Sequence, residues 1–205
     1  HAGSQAVLIR GANAASAAVR PMYGFENQDK VTLEFWARPL TAGTNLPGTT
    51  ILATNNMFIT MENAAGKRAA AIRFGPSESI DYNSAGWKPT SVTWNDQTWY
   101  KCVMEVDYAA KTYDVFINDV KVTATPVAFY EATSDKFQAI RIYRGTSQAG
   151  IILDDMTAAI PSASLRISNI EVVGRMVNIS WEGGLAPYQL QRRISLTTGT
   201  WEDVG

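Results

Sequence analysis

The chain has 205 residues, with 18 Lys plus Arg against 19 Asp plus Glu and a formal net charge of −1. That balance offers no long-range field for nucleic acid or for an anionic membrane, and no run reaches the roughly 18 apolar residues that would span a bilayer. The single histidine is His1 and the single cysteine is Cys102, which excludes Ser-His-Asp and Cys-His nucleophilic catalysis and disfavours zinc. An enzyme built from this chain would work with carboxylates, Tyr, Lys or Arg.

Taken in chain order, period-two patterns dominate. The first ten residues lack a signal-peptide layout, so export would use a signal already removed or lying upstream. Residues 5–11 (QAVLIRG) read as a strand. Residues 13–19 (NAASAAV) are alanine-rich but too short for a stable isolated helix. In 30–39 (KVTLEFWARP), Val31, Leu33, Phe35 and Ala37 share one face, and Thr32, Glu34, Trp36 and Arg38 share the other. Further strands are expected at 49–55, 57–63, 69–75 and 91–95. In 99–108 (WYKCVMEVDY), Tyr100, Cys102, Met104, Val106 and Tyr108 form the apolar side, so Cys102 reads as a core residue.

After the short turn AAK, 112–122 (TYDVFINDVKV) aims Tyr113, Val115 and Ile117 one way, and the short separation makes a hairpin. In 137–145 (FQAIRIYRG), Ile140 and Ile142 face inward and Arg141 and Tyr143 outward; 149–158 (AGIILDDMTA) is a further strand. The composition then changes at 159–164 (AIPSAS), which marks a domain boundary. Beyond it, 165–173, 176–181 and 188–194 alternate again. The expected architecture is all-β: a two-sheet antiparallel jelly roll over 1–160 and a partial second β-sandwich over 161–205. Three strands cannot close a sandwich, so the native polypeptide is expected to continue past Gly205.

The segments VTLEFWARP, QTWYKCVMEVDYAAKTYDVFINDVKV and IRIYRG…IILDDMTA, in that order, resemble the laminin-G-like, concanavalin A-like jelly roll of bacterial secreted proteins. HAGSQAVLI is similar to an internal strand of that family, so its N-terminal edge is expected to be missing. In the family the hairpin usually ends in Gly after Asn or Asp; here Val120 follows Asn118 and Asp119. The tail ISWEGGLAPYQLQRRISLTTGTWEDVG resembles fibronectin type III-like repeats. The resemblance implies a secreted or cell-surface bacterial protein. It would be a non-catalytic polysaccharide-binding module beside the other domains of a longer, glycan-active chain, without nucleic-acid binding or membrane insertion. A spacer or adhesion domain without a glycan site is the alternative, and a polysaccharide lyase or glycoside hydrolase the third reading.

Six Trp and eight Tyr make aromatic side chains the first candidates for glycan contact. Sugar rings stack on aromatic faces while neighbouring polar groups bond the hydroxyls. The stretch 79–99 concentrates Tyr82, Trp87 and Trp94 with Asp81, Asn83, Asn95 and Asp96, and Tyr143 with Arg144 form a similar pair. Arg38, Arg73, Arg141 and Arg144 could meet a sulfated or uronic sugar by bidentate contacts, or they are solvated strand faces. The adjacent acids Asp154 and Asp155 are the metal candidates. Neighbours on a strand point to opposite faces, so they cannot act as the facing pair that glycosidases hold about 5–10 Å apart. Either one Asp turns the last strand and the other is solvated, or, as the resemblance implies, one or both bind a structural Ca2+, which takes roughly six to eight oxygens.

Overall fold

The computed structural model describes residues 6–10, 16–46, 49–51, 56–144, 149–161, 166–174, 176–182, 191–192, 200 and 202–203. Its contacts divide the chain into two units, His1–Ile160 and Pro161–Gly205. The first unit is built from short strands alone among the described residues. In order these are β1 (Val7–Arg10), β2 (Ser16–Pro21), β3 (Lys30–Leu40), β4 (Asn45–Leu46), β5 (Thr49–Thr50), β6 (Met57–Glu62), β7 (Arg68–Phe74), β8 (Ser79–Asn83), β9 (Trp87–Thr93), β10 (Tyr100–Asp107), β11 (Thr112–Ile117), β12 (Val120–Lys121), β13 (Val127–Ala128), β14 (Ala139–Arg144) and β15 (Gly150–Ala159).

One sheet runs β1-β15-β3-β10-β11-β12, with β13 also paired to β11, and the other runs β2-β14-β6-β7-β8-β9. The strands at the two ends of the unit pair in both sheets, β1 with β15 and β2 with β14, all antiparallel. The chain thus changes sheet between β1 and β2 and again between β14 and β15. The result is the all-β antiparallel sandwich of jelly-roll kind that the alternation implied.

The core is a consequence of that alternation. β3 is central, flanked by β10 and β15; its Val31, Leu33, Phe35 and Ala37 are fully buried, while the residues between them are half-buried. Met104, Val115, Ile59, Met61, Ile72 and Ile140 join them from both sheets. Each of the Val, Leu, Ile, Met and Phe side chains among them contributes about 1.5–3 kcal/mol by burial. Tyr113 ties the sheets together: its hydroxyl donates to the Asn83 carbonyl at 2.6 Å and accepts from the Asn83 N–H at 3.1 Å. Asn118 and Asp119 hold φ of 50° and 65° between β11 and β12, the two-residue turn that matches strand twist without needing glycine.

The structure differs from the sequence expectation in three places. The alanine-rich segment contributes β2, an edge strand whose Val19 and Arg20 lie opposite Arg141 and Ile140; lateral pairing, invisible in local propensity, makes it a strand. β8 and most of β9 lie in the stretch read mainly for its aromatic residues. Third, the chain makes a β-bulge immediately after Asp154. Asp154 lies opposite Trp36 and Thr157 opposite Glu34, so Asp155 and Met156 together face Phe35. Asp155 is the extra residue, exposed, with φ of 46°, a left-handed conformation that Asp tolerates. Before the bulge Ile151 and Leu153 face the core; after it Met156 and Ala158 do. The extra residue reverses the phase.

The second unit contains the hairpin β16 (Arg166–Val173) and β17 (Met176–Glu182) and the two-residue pair β18 (Gln191–Arg192) and β19 (Glu202–Asp203). The register shifts between Ile167 and Asn169, which brings Ile167, Ile170 and Val172 onto one face opposite Trp181, Ile179 and Val177. Gly174 takes the turn at φ 64°. Hairpins of this kind occur in many antiparallel folds and carry no family assignment for 161–205.

Candidate functional site

β14, β6, β7 and β8 are neighbours in the second sheet, and their alternation sends one set of side chains to the core and the other outward. In register, Tyr143, Phe58, Arg73 and Asp81 form one outward row. Arg141, Thr60 and Ala71 form the next. Small Ala71 leaves room for the large groups around it.

An aromatic belt crosses this face. Phe58 and Tyr143 stack with centroids 4.7 Å apart and 9° between planes. Trp87, from β9, meets Phe58 edge-on at 5.3 Å and Tyr130 at 6.2 Å. Tyr130 comes from the segment after β13, where the backbone N–H of Tyr130 and of Glu131 donate to the carbonyls of Ala69 and Arg68. The Arg73 guanidinium lies 4.5 Å from the Trp87 ring centre, and that of Arg68 4.6 Å from Tyr130 and 5.3 Å from Tyr143.

Each of these arginines meets a carboxylate. Glu62 is fully buried and accepts from Arg141 Nε at 2.8 Å, the Tyr143 hydroxyl at 2.7 Å and the Thr60 hydroxyl at 2.8 Å. That carboxylate holds Arg141 above its ordinary pKa against the opposing effect of burial. Burial, reinforced by Glu62, pushes the Tyr143 hydroxyl up to about 12. Asp81, 2% exposed, accepts from Arg73 Nε at 2.8 Å and from its Nη2. Glu131 takes Arg68 Nε at 3.3 Å, an ion pair without hydrogen-bond alignment, and Lys67 Nζ at 3.3 Å. Burial raises the Glu131 pKa, but the Arg68 N–H and the Lys67 and Arg68 charges outweigh it and leave it lowered.

The sequence candidates separate on this geometry. Trp87 and Tyr143 are brought together through Phe58. Trp94 is corrected to a core residue: it is 1% exposed and its indole N–H donates to the Gly75 carbonyl at 3.0 Å. Tyr82 lies opposite core residue Ile72 and packs against the core, one step out of phase with Asp81 and Asn83. Arg144 falls in the inward row with Met57 and Phe74, and its Nε and Nη1 are buried without a hydrogen-bond partner among the described residues. Phe58, Thr60 and Glu62 were missed as a site although the alternation of 57–63 placed them on one face. Tyr130 carried no local signal.

Asp154 and Asp155 lie elsewhere, on a cleft of about 280 Å3 at the β1–β2 edge whose other walls include Ile9, Ile140, Ile142 and Leu153. Its lining is mostly apolar and offers few groups for sugar hydroxyls. The Asp155 N–H donates to Asp154 Oδ1 at 2.9 Å, which fits the turning role better than a facing pair.

No family model matches the chain. No curated protein matches it. Among solved structures, a sialidase is similar with a TM-score of 0.53 at 7% identity, over 70% of this chain and 14% of that one. Sheep galectin-11 in complex with glycerol follows at TM-score 0.44 and 10% identity, over 72% of this chain and 100% of that one. The carbohydrate binding module CBM66 from Bacillus subtilis has TM-score 0.43 and 8% identity, over 69% and 77%. The chain spans only 14% of the length of that sialidase. At such identities the similarity concerns the fold alone: the first unit is an antiparallel β-sandwich of jelly-roll kind.

Proposed function

We propose that this chain is a non-catalytic carbohydrate-binding module that takes a polysaccharide on the outer face of its six-stranded sheet. The observation that carries the reading is the belt of Tyr143, Phe58, Trp87 and Tyr130 set among guanidinium, carboxylate and hydroxyl groups. Aromatic faces accept the C–H side of sugar rings, and the flanking groups bond hydroxyls. The face's carboxylates are engaged by arginines and do not form a free acid/base pair. A secreted or cell-surface bacterial protein, with further domains in a longer chain, completes the proposal and rests on the sequence resemblance.

Affinity electrophoresis across a polysaccharide panel tests it. Retardation by at least one glycan is expected. Trp87→Ala should weaken it roughly tenfold, about 1.4 kcal/mol for a lost ring contact. Glu105→Gln, exposed on the other sheet, should leave it unchanged. The spacer reading draws on Arg73 and Arg68 covering the Trp87 and Tyr130 rings; absence of retardation by every glycan selects it.

The proposal retains a structural Ca2+ at Asp154 and Asp155 from the resemblance. The described residues contain no group of three metal-ligating acidic, His or Cys side chains, so two carboxylates fall short of roughly six to eight oxygens and backbone carbonyls and water would supply the rest. A native-state ligand stabilises by mass action, so EDTA should lower the melting temperature; an unchanged melt withdraws the ion.

A further inference from the structure

We infer that the polysaccharide bound on this face is neutral rather than uronic, sulfated or sialylated, an inference that rests on the glycan-binding reading above. Three arginines, Arg68, Arg73 and Arg141, together with two tyrosines and a tryptophan would ordinarily suggest an anionic sugar. The geometry says otherwise, because each of the three arginines already faces a protein carboxylate.

Glu62 is fully buried and holds Arg141; Asp81 is 2% exposed and holds Arg73 through two guanidinium nitrogens. A sugar carboxylate or sulfate on the free side of either guanidinium would share that single charge with a buried protein carboxylate of like sign, and displacing that carboxylate would strand it without its counter-charge. Stranding a buried charge is among the most costly changes a protein can undergo, and the exchange returns one ion pair for another. Arg144 cannot substitute, since it lies in the inward row with Met57. Arg68 is the loosest of the set, with its ion pair to Glu131 unaligned and shared with Lys67. Even there one carboxylate is already in place. What the paired arginines can still offer is N–H groups that the carboxylates leave unused, suited to neutral hydroxyls, beside rings suited to sugar C–H faces.

A neutral ligand also predicts a distinctive salt response. Binding without net charge exchange is nearly insensitive to ionic strength, whereas capture of an anion by exposed cations is screened.

The test is affinity electrophoresis of the full chain against neutral glucans, mannans, galactans and fructans, and against polygalacturonate, chondroitin sulfate and polysialic acid, each at low and high salt. Retardation by at least one neutral polysaccharide is expected, changing less than about twofold between the salt conditions and weakened by Trp87→Ala. Retardation by acidic polysaccharides alone, lost at high salt and in Arg68→Gln, overturns the inference and leaves glycan binding standing. Retardation by none overturns both. Circular dichroism of Trp87→Ala and Arg68→Gln confirms that each change acts on a folded chain.

Discussion

Glu62 is the residue on which the outer face turns. Three donors converge on a carboxylate with no exposure, so its charge is compensated only while Arg141 and Tyr143 stay in place. Arg141→Met should therefore cost about 3–5 kcal/mol, because it leaves the carboxylate buried and unpaired. The double change Glu62→Met with Arg141→Met removes both charges and should recover most of that loss. Urea denaturation measures both. A single variant as stable as the double one would show that Glu62 finds compensation elsewhere. The same arrangement explains why Tyr143 is a positioned group: its hydroxyl is held by Glu62 and its ring is stacked on Phe58.

Among the elements, β15 shows how one residue sets a strand's phase. Asp155 is inserted against Phe35, and the core-facing set passes from Ile151 and Leu153 to Met156 and Ala158. Deleting Asp155 would turn Met156 and Ala158 away from the core and should cost about 2–4 kcal/mol, chiefly the burial of the methionine. Asp155→Gly keeps the count and suits φ of 46°, so it should shift stability by less than about 1 kcal/mol. Chemical denaturation of the pair decides; equal effects would mean that side-chain chemistry at 155, and not residue count, is what matters. β9 is an edge strand whose Pro89 lies opposite Asp81, and an edge is where a strand tolerates a residue without an N–H.

For the whole molecule, acid stability collects small terms from loops around the sandwich. The Thr41 N–H and its neighbours overcome burial and hold Asp96 low; the Ala110 N–H lowers Asp107; the Asn63 amide lowers Asp135; and Glu131 is lowered by the Arg68 N–H and Lys67 against burial. A carboxylate with a depressed folded-state pKa contributes stability above its unfolded value and loses it as pH falls through the folded one. The melting temperature should hold from neutral pH toward the ordinary values of 3.8 and 4.5 and fall below them. Glu131→Gln should melt lower than the parent at neutral pH and close that gap on acidification. A gap that stayed constant with pH would mean that the Glu131 contribution is not electrostatic.

What the sequence by itself determined is the set of properties that period two encodes locally. The faces of β3, β10, β11 and β14 could be read residue by residue, because a strand side chain's direction depends only on its neighbours' count. The lone Cys102 read correctly as core, and burial raises its thiol pKa. Tertiary structure alone decided three things. It made a strand of the alanine-rich β2 by pairing it with β14, and it placed the phase reversal at Asp155. It also assembled Tyr130, Trp87, Phe58 and Tyr143, which four separate segments supply, into one belt. Lateral register joins residues distant along the chain, and no local pattern records which strand will lie beside which. That is why Trp94 and Trp87, seven positions apart in one aromatic stretch, could not be told apart until one was seen inside the sandwich and the other on its outer face.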